Sequence, residues 1–281
     1  MRIIQYAPRA CDCCESVDLE EVWSYSAQAR TRSDVSLWEV RNVVCRFCGF
    51  AFVSPAPVPE SLAAHYNDSL PISEERQPDF SIVNRIGLIE RHLPLSPQQS
   101  VYLEVGSSTC PQFLAEVAKR FASAQTVEIY QNEDSSSGVI EDVPRETVDV
   151  LAAYFVLEHV PNPLTVLTRC ANALKDAGTL IIEVPDLYQY PETTDGLAMH
   201  EHVNHFSLRS LSRLAAMVGL RLIDFSRSLR SHPGSFAAAF AKTYSTAQRE
   251  PDPTERVMAM TCMGEGVERL KHFGKMTDQR A

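Results

Sequence analysis

The chain has 281 residues, 44% of them hydrophobic, with a formal net charge of −10 and a pI near 5.3. That apolar share supports a sizeable core and excludes wholesale disorder, and the length suits one large domain plus a small one. The acidic balance argues against a nucleic-acid partner, which needs a basic field to neutralise phosphates. No apolar run approaches the roughly 18 residues of a membrane span, and Met1 to Gln5 turns polar too soon for a signal peptide, so a cytoplasmic protein without a membrane partner is expected.

Residues 1–55 read as short strands around cysteine pairs, at Glu21 to Tyr25, Leu37 to Val40 and Val43 to Val44. Ser54 to Pro59 is a stiff extended linker, because proline fixes φ and restricts the residue before it. Residues 60–93 carry helical spacing, with Ile82, Ile86, Ile89 and Leu93 on one face. From Val101 onward strands and helices alternate. Val101 to Val105 is a buried strand, Gly106 to Cys110 a turn, and Pro111 opens a helix to about Phe121. Strands are expected at Thr126 to Tyr130, Gly138 to Ile140 and Val148 to Val156, with a serine-rich loop over 131–137. A helix over 163–175 stops before Gly178 as its C-cap, and Thr179 to Val184 is a fifth strand. Ser207 caps a helix to about Val218, and Leu220 to Phe225 and Phe236 to Phe240 are two further strands. This order predicts an α/β fold with a mostly parallel sheet and helices on both faces. Arg209, Arg213, Arg221, Arg227 and Arg230 have the spacing of a solvated helix face and strand edge rather than of a binding patch.

Of the eight cysteines, five lie within the first 48 residues. A disulfide framework is out of place in a chain of this size without a secretion signal, so metal chemistry is the better reading. Cys11 and Cys14, then Cys45 and Cys48, form two CxxC knuckles able to present four thiolates to one structural Zn²⁺. Gly49 after the second pair tolerates the left-handed turn of such a knuckle. Cys13 either substitutes for Cys14 or stays free. Four protein sulfurs leave no open coordination position, so this site is not a catalytic one.

The turn at Gly106 joins a strand to a helix, where a cofactor can approach the backbone and the helix N-terminus. Glu128 follows 22 residues later at the end of the next strand, the place for a carboxylate that accepts both ribose hydroxyls. One glycine, instead of the three of a dinucleotide fingerprint, suits a cofactor without phosphates.

Glu104 to Cys110, Val148 to Val150 leading to Val156, Leu157, Glu158, His159 and Val160, then Ile181 to Pro185, resemble class I S-adenosylmethionine-dependent methyltransferases. A narrower resemblance follows. Met199 to Ser207 is similar to the Tyr-His-Glu-His signature segment of deoxysugar C-methyltransferases, and Ser231 to Ser235 to their turn before the last strand. Those enzymes also carry an N-terminal zinc-binding module.

The resemblance implies a Rossmann-like seven-stranded methyltransferase sheet behind a zinc module. The divisions it suggests are 1–55 (zinc-binding module), 56–98 (linker and helical segment), 99–244 (methyltransferase domain) and 245–281 (C-terminal helical tail). It implies that Glu104, Gly106, Ser108 and Glu128 hold S-adenosylmethionine, and that His159, Glu201 and His202 do acid/base work. Tyr66 and His200 would face a small-molecule substrate, a sugar or nucleotide-sugar. In this reading a base removes a proton beside a keto group and the enolate takes the methyl.

Met199 and His205 stand where the signature has tyrosines, and Cys110 where the cofactor turn ends in glycine. Residues 244–281 offer one helix (Glu255 to Phe273) where the sugar enzymes have a second domain. Other readings use the same residues. They are O- or N-methylation of a natural product or polysaccharide unit, a catalytically silent binding module, a purely structural His159, and a second metal set of His200, His202 and His205.

Overall fold

The computed structural model describes residues 1–69, 82–93, 95–106, 111–130, 138–227, 234–243 and 249–278. After the short strands β1 (Arg2–Ile3) and β2 (Tyr6–Ala7) comes a hairpin of β3 (Leu19–Arg30) and β4 (Val35–Cys45). β3 alternates between exposed and half-buried positions, the mark of a strand with one wet face, while β4 buries Trp38, Val40, Val43 and Val44. The sequence pattern showed only fragments of these strands. The ladder from Leu19↔Cys45 to Arg30↔Val35 also recruits polar residues such as Ser26 and Gln28, which apolar patterning passes over.

β4 pairs as well with β1 and with β5 (Ala51–Val53), and β6 (Ala56–Pro57) pairs with β2, so part of the proline-rich stretch is strand. Pro59 opens α1 (Pro59–Asn67), where a missing N–H costs nothing. The single helical stretch expected over 60–93 is two helices, α1 and α2 (Ile82–Arg91), with 70–81 outside the described residues. α2 buries Ile86 and Ile89 as its spacing predicts, and also Arg85.

The second sheet begins with β7 (Val101–Val105), followed by α3 (Pro111–Arg120), β8 (Ser123–Glu128), β9 (Gly138–Val139) and β10 (Val148–Tyr154). Next come α4 (Pro163–Ala173), β11 (Leu174–Pro185), α5 (Asp195–Ala198), β12 (Asn204–His205), α6 (Leu208–Met217), β13 (Leu220–Ser226), β14 (Ser235–Lys242) and α7 (Pro253–Asp278). Seven strands lie in the order β13-β14-β11-β10-β7-β8-β9. The run from β11 to β9 is parallel and β14 is antiparallel to both its neighbours, so the sheet is mixed. β10 is buried at all seven positions, as a central parallel strand covered on both faces must be.

Several bounds differ from expectation: β8 lies at Ser123–Glu128 rather than Thr126 to Tyr130, and β10 ends at Tyr154. The difference at Gly178 has a clear cause. α4 ends at Ala173, and Gly178 lies within β11 rather than capping the helix. Leu174 already pairs with Val148, and the register shifts before Thr179 meets Val150. A Cβ at Gly178 would come within 3.1 Å of the Val148 carbonyl, so the glycine serves this irregularity. Ser207 does cap α6, in a capping box with Ser210.

β12 leaves the second sheet and joins the first, pairing Asn204 with Phe52 and His205 with Ala51 on β5. α7 packs across both units, and its Ala259, Met263 and Val267 share a buried cluster with Val44, Ala51, Leu187 and Tyr190. Glu255 near its start accepts hydrogen bonds from Ser207 Oγ and Tyr188 OH, each 2.5 Å. Among the described residues, no helix is long and apolar enough to cross a membrane.

Candidate active site

The four thiols of Cys11, Cys14, Cys45 and Cys48 converge, every sulfur within 4.8 Å of the others. Cys11 and Cys48 are 3.4 Å apart, as are Cys14 and Cys45. A tetrahedron with Zn–S bonds of about 2.3 Å has edges of about 3.8 Å, so this donor set fits a tetrahedral cation with little movement. Gly49 turns the second knuckle at φ +78, and a Cβ there would strike the Arg256 amide at 2.4 Å. Cys13 is buried beside Cys11 and Cys48 but does not belong to the converging set.

At the end of β7, Gly106 takes φ +89 and its N–H donates to the Val127 carbonyl, 2.7 Å. A Cβ here would lie 2.8 Å from Val156 Cγ2, so only glycine lets the ends of β7 and β10 come this close. Glu104 is buried on β7 and accepts from Tyr102 OH at 3.0 Å. Glu128 closes β8, opposite Val139. Gly106 and Glu128 therefore stand at the carboxyl ends of neighbouring parallel strands, where open α/β sheets bind ligands. Ser108 and Cys110 lie outside the described residues, as do Ser231 to Pro233.

Past β10 the backbone bends through Phe155, held at φ +56, a conformation costly for a bulky side chain. The bend delivers Leu157 to His159 as one 3-10 turn. Asn204 Nδ2 donates to the carbonyls of Leu157 and Val160, both 2.7 Å, and the Val203 N–H donates to that of Glu158. Thus the chain entering β12 holds the turn in place.

The predicted residues meet here. Tyr66 OH lies 3.2 Å from His159 Nδ1, and the rings of His159 and His202 meet edge to face with centroids 4.7 Å apart. His202 Nδ1 is 2.9 Å from the Gly196 carbonyl, which can only accept; the ring proton is therefore on Nδ1 and Nε2 carries the lone pair. Glu201 Oε1 is 2.6 Å from His65 Nε2, and His200 Nε2 is 3.9 Å from that same oxygen. Trp38 packs edge-on against His65 and His200.

Burial pushes His159 and His200 below the usual imidazole range and His202 well below it, so all three are neutral at pH 7. Burial acts to raise Glu201, but the His65 hydrogen bond and the neighbouring imidazoles outweigh it and hold the carboxylate ionised. Glu158 is the opposite case. Burial pushes it up to about 8, and neither carboxyl oxygen has a hydrogen-bond partner among the described residues.

His205 does not join the cluster. Its Nε2 meets Asn42 Oδ1 at 2.7 Å and its Nδ1 meets Tyr190 OH at 2.9 Å, and burial drives it down to about 3. The set of His200, His202 and His205 considered for a second metal is therefore not assembled. The tight groups are His65, His200 and Glu201, and beside them Glu158, His159 and His202.

A methyltransferase domain profile matches residues 81–224, just over half of the chain. The chain belongs to the methyltransferase domain family. It is an S-adenosylmethionine-dependent methyltransferase, in the α/β fold of that family with its mixed seven-stranded sheet. The methyltransferase overlays on 1,6-didemethyltoxoflavin-N1-methyltransferase of Burkholderia thailandensis, solved with 1,6-didemethyltoxoflavin and S-adenosylhomocysteine. The TM-score is 0.52 at 15% identity, over 69% of this chain and 96% of that one. Geranyl diphosphate C-methyltransferase of Streptomyces coelicolor A3(2), solved with Mg²⁺, geranyl diphosphate and S-adenosylhomocysteine, gives a TM-score of 0.46 at 13% identity. There the overlap is 66% of this chain and 99% of that one. No curated protein sequence matches the methyltransferase significantly.

Two residues of the methyltransferase's cluster escaped the sequence reading. His65 is a lone histidine in an amphipathic helix, and only its place next to Tyr66 hinted at it. Glu158 lies in the motif between Leu157 and His159, and its burial after a bent strand end is invisible to spacing.

Proposed function

We propose that this methyltransferase methylates carbon beside the keto group of a small, sugar-like substrate, with His202 and His159 moving the proton. One observation supports this above others: a neutral imidazole with a bare Nε2 touches a second imidazole, and that second ring has an ionised carboxylate beside it. Bound S-adenosylmethionine supplies an electrophilic methyl on a sulfonium, and the open backbone at Gly106 with Glu104, Ser108 and Glu128 is the cradle we assign to it. His202 takes the proton from the carbon next to the carbonyl, as a base whose lone pair is free at neutral pH. The resulting enolate carbon forms the new bond to the methyl, whose bond to sulfur breaks with the electron pair left on sulfur. Glu201, beside His159, offsets the charge when the proton is shared with that second imidazole. Tyr66 and His200 line the substrate side, and a nucleotide-linked sugar is the substrate class we favour.

We assign a structural Zn²⁺ to Cys11, Cys14, Cys45 and Cys48, and the divisions 1–55, 56–98, 99–244 and 245–281 to zinc module, linker, methyltransferase domain and C-terminal helix. The test has two stages. Calorimetric titration with S-adenosylmethionine should show binding; no heat and no thermal shift at millimolar cofactor would sink the enzyme reading. Labelled methyl transfer to a panel of nucleotide-linked keto sugars, followed by NMR, then locates the new methyl. A methyl on carbon supports the proposal, and one on oxygen or nitrogen replaces it with the heteroatom reading.

A further inference from the structure

Glu201 is the one carboxylate of the cluster that stays ionised while buried against imidazoles, and what holds it so lies outside the methyltransferase sheet. His65 sits on α1, is 2% exposed, and uses both ring nitrogens. Its Nε2 meets Glu201 Oε1 at 2.6 Å and its Nδ1 meets Ser36 Oγ at 3.0 Å. Ser36 is fully buried on β4, the strand that ends at Cys45. The three groups form a chain from the cysteine-bearing sheet into the signature segment.

The chemistry of the carboxylate fixes the direction of the first link. An ionised carboxylate only accepts, so the proton between His65 and Glu201 belongs to Nε2. The second link joins Nδ1 to the Ser36 hydroxyl, which can donate to a lone pair or accept a proton there. This is the arrangement by which a third group orients an imidazole that serves another. Trp38, edge-on to His65 with centroids 5.1 Å apart, keeps the ring from swinging.

We propose that His65 is a positioning residue for methyl transfer: hydrogen-bonded to Ser36, it holds the Glu201 carboxylate in place beside His159, so that the N-terminal sheet supplies part of the active site. This rests on the acid/base reading of Glu201 given above. The groups facing Glu201 are His65 and Tyr66 from α1, His159 from the turn after β10, and its own neighbour His200. Of these, only His65 makes a short hydrogen bond to its carboxylate among the described residues.

The full-length protein, labelled with ¹³C at glutamate carboxyl carbons, tests the assignment without any substrate. The Glu201 signal is identified by its loss in Glu201→Gln, and its titration is followed by NMR in wild type, His65→Gln, Ser36→Ala and the packing control Trp38→Phe. We expect Glu201 to titrate about one unit or more higher in His65→Gln, the size of effect that losing a hydrogen bond to the charged form brings. A smaller rise is expected in Ser36→Ala, and none in Trp38→Phe.

An unchanged Glu201 titration in folded His65→Gln overturns the proposal. So does an equal rise in Trp38→Phe, which would make the role one of packing alone. Should His65→Gln fail to fold, Ser36→Ala carries the test, and no rise there is decisive against it. Calorimetry with S-adenosylmethionine on the same samples separates the two questions. If even wild type fails to bind cofactor, the methyltransferase chemistry falls while the titrations still decide the relay.

Discussion

The two sheets of this molecule are held together by different physics. In the larger one, β10 is buried along its whole length and the strands around it carry Leu103, Val105, Leu180 and Ile182 into one continuous core. Such a sheet is stabilised by area removed from water, about 25 cal/mol for each Å² of apolar surface, and it tolerates many single losses. The N-terminal sheet has a hairpin with one wet face, and its tightest convergence is four sulfurs. It also takes its last strand from elsewhere in the chain. The difference teaches where each unit is fragile: one loses stability in small steps, and the other depends on a few discrete attachments.

The sharpest way to break that contrast is to remove the metal we assign. Structural zinc in small domains is worth about 10–16 kcal/mol of apparent folding free energy. Cys48→Ser should therefore unfold the N-terminal sheet and abolish zinc content, with the larger sheet still melting cooperatively. Metal analysis and calorimetric scans check this; a normal melt with less than one zinc per chain in the wild type would refute it.

His202→Ala is expected to lower methyl transfer about 10²–10⁴-fold, the usual worth of a positioned base, while cofactor affinity stays within a few-fold. Parallel loss of both, seen by calorimetry, would make His202 a structural residue instead.

Inside the larger sheet the exception to gradual loss is a buried ion pair. Arg85 Nη2 is 2.7 Å from Glu183 Oε2, both essentially fully buried, and the guanidinium lies over Tyr154 at 4.0 Å. Arg85→Ala strands a buried carboxylate and should cost about 3–5 kcal/mol in urea unfolding. Arg85→Met with Glu183→Leu together should cost much less.

Glu158 gives the smallest effect and a pH signature. Its folded pKa, near 8, stands above the ordinary carboxylate value, so the folded state holds a proton that the unfolded chain gives up more readily. Its contribution is fully present below about pH 4.5 and is lost as pH rises through about 8. Glu158→Gln should remove that loss, and its stability relative to wild type should rise by roughly 1–3 kcal/mol between pH 5 and 8. A difference that is flat with pH, in paired urea titrations, would show that Glu158 has a partner.

Much of this layout is legible in the sequence, for identifiable reasons. The succession of strands and helices that builds the larger sheet follows from apolar runs separated by turn residues, and Gly106 and Glu128 stand out because their spacing is local. The cysteine knuckles are legible because thiolate geometry demands close pairs. By contrast, His202 and His205 are three residues apart in one segment and look alike, yet one faces the cluster and the other is locked between Asn42 and Tyr190. Their roles depend on which strand they meet, and the pairing of β12 with β5 is set by a partner far back in the chain. The start of β11 at Leu174 is hidden for a related reason: nothing in the local pattern marks where α4 yields to a register shift beside Val148.

The borrowed strand β12 also bears on how the protein is made. Its partner β5 leaves the ribosome about 150 residues earlier, which at roughly 5–20 residues per second is a wait of about 8–30 s. During that time the edge of β5 is unpaired, an open template for strands of other chains. On the zinc assignment proposed above, early metal capture by the cysteine knuckles would keep the nascent sheet compact through this interval, and zinc starvation would then act through aggregation during synthesis rather than through failure of the finished fold.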